Sequence, residues 1–148
     1  MDSDFEKEYL SQRVAQFQSS DGAISMNADQ WWTSIPVSPG VYVVYEDGKV
    51  IYCGETASLR ARMKDLRDTR NHTLRRSVAR HRLTKSEGFA EANQSRKFPL
   101  HIELILNEHM SKLMVKAVPI SLGRKEIEHE LIKLHDPIYN RVSRRGGL

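Results

Sequence analysis

Gly40-Val41-Tyr42-Val43-Val44-Tyr45-Glu46-Asp47-Gly48-Lys49-Val50-Ile51-Tyr52-Cys53-Gly54 is the stretch on which the fold turns. Two β-branched and aromatic runs, Val41 to Tyr45 and Val50 to Tyr52, flank Asp47-Gly48. Asp-Gly between such runs marks a β-hairpin, because both turn residues must take positive φ. Immediately upstream, Ile35-Pro36-Val37-Ser38-Pro39 cannot continue a helix. Further upstream lie Trp31-Trp32, a Ser19-Ser20-Asp21-Gly22 loop, and residues 4–18. That first segment reads as an amphipathic helix, with Leu10, Val14 and Phe17 on one face and acids in its first turn.

Downstream of the hairpin, Ser58 is placed to cap a helix carrying Leu59, Met63 and Leu66 on one face. A basic helix is expected from Leu74 to Arg82, with Leu74 and Val78 inward, and 84–98 reads as polar loop. A helix ending near Lys112, a strand from Leu113 to Val118 stopped by Pro119, and a final helix from about Gly123 to His135 complete the chain. The expected class is α+β, a small mixed or antiparallel three-stranded sheet flanked by helices. The expected organisation is a helical extension over 1–35, one domain over 36–142 and a basic tail over 143–148.

Composition narrows the function. The chain has 148 residues, 28% charged and 39% hydrophobic, which suits one globular domain. A single cysteine, Cys53, excludes a disulfide framework and any C-x-x-C metal or redox site; inside a strand it reads as a small buried residue. No apolar run is long enough to cross a membrane and the acidic start is no secretory signal, so a cytoplasmic protein is expected. The formal charge of +4 is unevenly spread. Between Ser58 and Lys85 ten bases face two acids, a net +8, and eight of the ten are arginine. Arginine forks onto phosphate oxygens, so this segment suits a polyanion; it would equally suit a solvated helix face balanced by the acidic N-terminus.

One carboxylate falls on an unexpected face. Projected at about 100° per residue from Ile127, Glu128 lies between Leu131 and Ile132, while His129, Glu130 and Lys133 point to water. Glu128 is either a structural partner for an arginine, a residue at the rim of the apolar stripe, or a metal ligand or acid/base group in a cleft. His129 and His135 are six positions apart and cannot share a metal as a zincin pair does. There is no G-x-S-x-G, P-loop or G-x-G-x-x-G.

Taken together, Gly40-Val41-Tyr42, Tyr52-Cys53-Gly54, Leu59 and Arg62 resemble the GIY-YIG nuclease family. There, G-[IV]-Y is followed about ten residues on by Y-[IV]-G, with an arginine ten beyond the second tyrosine; here that arginine is Arg62. Glu128-His129-Glu130-Leu131-Ile132-Lys133 with Pro137-Ile138-Tyr139-Asn140 is similar to the family's downstream E-x-x-L-I-K…P-x-Y-N element, and the resemblance spans about 36–140. Cys53 stands in for the usual aliphatic residue. Leu66 occupies the place, four beyond the arginine, where members often have histidine. His72 is the candidate for that work, set against a solvent-exposed loop histidine.

The resemblance implies a Mg²⁺-dependent (or Mn²⁺-dependent) endonuclease acting on DNA, most naturally double-stranded. Tyr42, Tyr52, Arg62, Glu128 and Asn140 would be catalytic, and Glu128 the metal ligand. Either tyrosine would accept the water's proton, Arg62 would fork onto the phosphate, and Asn140 would bond within the site or pin the strand end. Gly54, Arg60, Arg67, His72, Arg75 and Arg76 would contact substrate, the arginines from Arg67 to Arg82 gripping flanking backbone. A homodimer would follow if both strands are cut. The competing reading is a nucleic-acid-binding module of the same fold without catalysis.

Overall fold

A computed structural model describes residues 3–144, with side chains as far as Arg141. In chain order the elements are α1 (Ser3–Ala15), β1 (Ile24–Ser25), a 3₁₀ turn at Trp31–Ser34, β2 (Gly40–Glu46), β3 (Lys49–Thr56), α2 (Leu59–Asp65), α3 (Thr73–Leu83), α4 (Leu100–Ser111), β4 (Met114–Pro119), α5 (Arg124–His135) and α6 (Ile138–Arg144). The sheet has four strands, not three, in the order β1-β4-β2-β3, and every pairing is antiparallel. The added strand is the two-residue β1, whose Ile24 and Ser25 pair with Val115 and Met114. So short an element has no period for sequence to display.

The hairpin forms at the expected place. Asp47 and Gly48 both have positive φ, 51° and 78°, and Glu46 pairs with Lys49 across the turn. A bulge follows: Val44 opposes Tyr52 while Tyr45 opposes Val50. The extra residue, Ile51, lets Ile51 and Tyr52 pack toward the same core despite being consecutive. On that face Tyr42, Val44 and Ile51 meet Leu59 and Met63 of α2, Leu74 and Val78 of α3, and Ile102 and Leu106 of α4. On the opposite face Val41, Val43, Tyr45 and Cys53 meet Val14 and Phe17 from the N-terminal segment and Ile127 and Leu131 of α5. Covered on both sides, β2 is apolar at every position from Val41 to Tyr45.

Three local expectations are corrected. α1 stops at Ala15, and Phe17 enters the core from the following turn, where its carbonyl accepts from Tyr45 Oη at 2.7 Å. Ser58 occupies the cap of α2 without a side-chain cap bond; its N–H instead donates to Thr56 Oγ1. Leu134, about 340° round the same projection and so beside Ile127 on the apolar stripe, is 56% exposed. The final helix ends at His135 as expected, and Pro137 then leads into a further short helix, α6, since a proline at a helix start gives up only an N–H that has no partner there. The basic tail expected over 143–148 lies outside the described residues beyond its first two backbone positions.

Candidate active site

Tyr42 and Gly54 are cross-strand partners on β2 and β3. A Cβ on residue 54 would collide with Cζ and Oη of Tyr42. Glycine is therefore what lets the Tyr42 ring lie across the β3 backbone toward the sheet edge. Tyr52, two residues earlier on β3, places its ring centroid 6.1 Å from that of Tyr42. Arg62 reaches the pair from α2, half-buried, with Nη1 donating to the Asn71 carbonyl at 3.1 Å and to Asp65 at 3.4 Å.

His72 completes the group. It is buried, not a solvent-exposed loop residue. Its ring stands edge-on to both tyrosines, with centroids 6.1 Å from Tyr42 and 5.7 Å from Tyr52. As N-cap of α3 its Nδ1 accepts the Leu74 N–H at 3.0 Å, while Nε2 lies 2.9 Å from Tyr42 Oη. These two bonds assign the tautomer. An accepting Nδ1 must carry a lone pair, so the neutral ring holds its proton on Nε2 and donates it to Tyr42 oxygen. Burial, then the charges of Arg62 and Arg76, push the imidazolium well below its ordinary pKa and keep the ring neutral. His72 is thus a donor to Tyr42 and not an acceptor of its proton.

The phenols are held protonated in the isolated protein. Burial, and next the neighbouring Tyr52, raise Tyr42 well above the usual phenol range, against the opposing pull of Arg62. Burial also raises Tyr52, opposed by the Thr73 hydroxyl and Arg62 and reinforced by the charge of Glu128. Positive charge entering this cluster would act on both.

Glu128 stands half-buried on α5, which packs on β3. Its charge is felt by Tyr52 and by Cys53, whose thiol is pushed up to about 12, by burial first and Glu128 second. Among the described residues no group of three or more His, Cys, Asp or Glu gathers as a metal cage. The Glu128 carboxylate beside a protonated thiol suits a hard cation that keeps most of its waters, and does not suit a thiolate-seeking one.

Asn140 pins the strand edge. Its Oδ1 accepts the Cys53 N–H at 2.8 Å and its Nδ2 donates to the Cys53 carbonyl at 2.9 Å, so the amide pairs with β3 as a neighbouring strand would. Tyr139 is fully buried against α3, accepting from Arg82 Nε at 3.0 Å.

The basic segment divides into two populations, correcting the expectation that Arg75 and Arg76 contact substrate. Arg75, 4% exposed, donates to Glu103 at 3.0 Å, Asn107 at 2.8 Å and Thr69 at 3.2 Å. Arg76 donates to the carbonyls of Thr69 and Arg70. Arg80 pairs with Glu91, and Arg82 forks onto Glu46. α3 is covered by α4 and α6, and all four of these arginines are engaged by groups of this chain. Arg60 and Arg67 remain exposed. What sequence reading missed at the site is backbone: the Asn71 carbonyl under Arg62 and the Leu74 N–H that sets His72. Every residue carries these groups, so no residue type flags them.

No protein-family model matches this chain, and no curated protein does. Among solved structures the chain is similar to the GIY-YIG N-terminal endonuclease domain of UvrC from Thermotoga maritima, in three point mutants each bound to its catalytic divalent cation. The first is 22% identical, covering 71% of this chain and 84% of that one with a TM-score of 0.39. The second is 21% identical with the same coverage and TM-score. The third is 20% identical over 70% and 83%, with a TM-score of 0.36.

Proposed function

We propose that this chain is a divalent-metal-dependent endonuclease of the GIY-YIG type that hydrolyses phosphodiester bonds in DNA. The observation that carries the reading is the Tyr42–His72–Tyr52–Arg62 cluster beside β3, with the charge of Glu128 felt at Tyr52. In it a neutral histidine is fixed as a donor to a buried phenol oxygen, an arrangement that stabilises the phenolate more than the phenol.

Arg62 is the group for the scissile phosphate. Its guanidinium is half-buried and always charged, and its fork matches two phosphate oxygens as negative charge builds on them. Tyr42 is the group for the nucleophile. As phenolate, steadied by the His72 Nε2–H and the Arg62 charge, its oxygen takes a proton from a water. That water's oxygen bonds to phosphorus as the 3′-oxygen departs and is protonated by solvent. Burial raises the Tyr42 pKa, so this role needs more positive charge than Arg62 alone provides. A divalent cation held by Glu128 through oxygen would supply that charge, with Mg²⁺ or Mn²⁺ the fitting chemistry. Tyr52 bounds the pocket, and Asn140 holds β3 in register.

The test is cleavage of supercoiled plasmid and of single-stranded DNA in Mg²⁺ or Mn²⁺ by the wild type, Tyr42→Phe and Glu128→Ala. Loss of the proton acceptor should cost about 10²–10⁴ in rate, and loss of Glu128 should abolish metal-dependent turnover. A wild type no more active than Glu128→Ala on every substrate would sink the enzyme reading and leave a binding module.

A further inference from the structure

Three exposed cations of the basic segment line one flank of α2 and its C-terminal turn. Leu59, Met63 and Leu66 are buried and fix the inward face of this helix. Arg60, Lys64 and Arg67 are exposed at i, i+4 and i+7, the Arg67 N–H continuing the turn by donating to the Lys64 carbonyl at 3.2 Å. None of the ion pairs found among the described residues involves any of the three.

Two of them are held in place without losing their outward donors. Arg60 Nε donates to the Ile35 carbonyl at 2.7 Å, which anchors the stem of the fork and leaves both terminal nitrogens free of that bond. The Arg67 guanidinium carbon lies 3.7 Å from the centroid of the Trp32 ring. Stacking uses the face of the guanidinium and leaves its N–H edge for an acceptor. Such pre-set donors lose little conformational freedom on meeting a phosphate.

The placement of this stripe relative to Arg62 decides what it fits. At about 100° per residue, Arg62 lies about 170° round α2 from the centre of the stripe. The exposed Ala61 stands on the outward side between them, with Asp65 beside it and paired to Arg62. One strand held at Arg62 cannot also run along the stripe. Two backbones on either side of a groove can. A helix with side chains is about 10–12 Å across and the B-DNA major groove about 12 Å wide, so a small residue at the tip and cations on both flanks suit that groove.

We infer that α2 is a duplex-DNA clamp, with Arg62 on the backbone to be cut and Arg60, Lys64 and Arg67 on the opposite backbone. The inference rests on the nuclease reading for the role of Arg62 and assigns the two backbones of a duplex to opposite flanks of one helix. It moves the backbone grip from α3, whose arginines are paired within the chain, to α2.

Binding in EDTA, where no cleavage occurs, tests it apart from catalysis. Affinity for a 24-base-pair duplex and for one of its single strands is measured against salt. The proteins are wild type, the triple variant Arg60→Gln/Lys64→Gln/Arg67→Gln, and a control lacking the exposed Lys49, Lys85 and Lys133. Each lost phosphate contact lowers the slope of log K against log salt by about 0.9 on a duplex. The triple variant should therefore lose about 2–3 from the duplex slope and bind duplex at least about tenfold more weakly at 0.1 M salt. Its single-strand binding should match the wild type, and the control should keep most of the duplex slope. An unchanged duplex slope, an equal loss on both substrates, or an equal loss in the control would each overturn the clamp. If wild type cleaves but the triple variant binds duplex normally, the clamp fails and the nuclease reading stands. If the slopes behave as expected but no metal supports cleavage, the clamp stands and the nuclease reading fails.

Discussion

His72 shows how a single residue can serve a helix and a site at once. Its Nδ1 caps α3 and its Nε2 holds Tyr42, so the helix start dictates which ring nitrogen carries the proton. Its pKa is depressed by burial, and the sign of the consequence follows. Below the unfolded-state value of about 6.5 the unfolded chain takes up a proton that the folded chain refuses, so stability falls as pH drops from there toward the folded pKa. The loss is at most about 1.4 kcal/mol per pH unit. Thermal melts from pH 8 to 5 should show a shallower acid decline for His72→Asn than for wild type, with the difference vanishing above pH 7.5. Parallel curves would refute the assignment. In turnover, His72→Ala should lower kcat by about 10–10²-fold and move the ascending, acid-side limb of the pH profile to higher pH, because Tyr42 loses the donor that steadies its phenolate. Gly54→Ala probes the same oxygen by sterics. Its methyl must displace the Tyr42 ring, at a cost of about 1–3 kcal/mol in a urea melt and with a fall in kcat larger than the fall in affinity.

At the scale of elements, the question is which polar groups hold helices to sheet. Arg75 on α3 and Glu103 on α4 form a nearly dry pair, their side chains 5% and 13% exposed. Removing one partner leaves the other charge stranded, so Arg75→Ala should cost about 3–5 kcal/mol by denaturant titration. Arg67→Ala, at an exposed stack, should cost under about 1 kcal/mol. Similar costs for the two would show that α3 and α2 do not divide the basic segment as described. The same contrast shows where sequence reading stopped. The hairpin, α4, β4 and the stretch of α5 were legible because turn chemistry and apolar spacing are local. The Tyr42, Tyr52 and Arg62 trio was legible as an ordered spacing. The fate of Arg75 was not. Its partners Thr69, Glu103 and Asn107 lie up to 32 residues away, and a basic helix covered by another helix has the same composition as one facing a polyanion. His72 was visible only as a candidate, because its burial depends on a loop with no periodicity.

For the molecule as a whole, the first 35 residues are the part that sequence divided from the rest. β1 extends the sheet beyond β4, and α1 packs on α5. Phe17 is fully buried against the face formed by Val41, Val43 and Tyr45. Lys116 on β4 donates to the carbonyls of Gln16 and Ser19, and Tyr45 donates to that of Phe17, so the segment leaving α1 is tied to two strands. Buried aromatic and aliphatic side chains are worth about 1.5–3 kcal/mol each, and loss of Val14, Phe17, Trp31 and Ile35 together would remove an amount comparable to the whole stability of an ordinary domain. Residues 36–148 expressed alone should therefore lack a cooperative melt and bind a dye that reports exposed apolar surface. The substitution Phe17→Ala should keep the fold while costing about 3–5 kcal/mol in a denaturant titration. A sharp melt for 36–148, within a few degrees of that of the full chain, would mean that the N-terminal segment is an appendage. It would also mean that the sheet face bearing Val41, Val43 and Tyr45 is covered well enough by α5 alone.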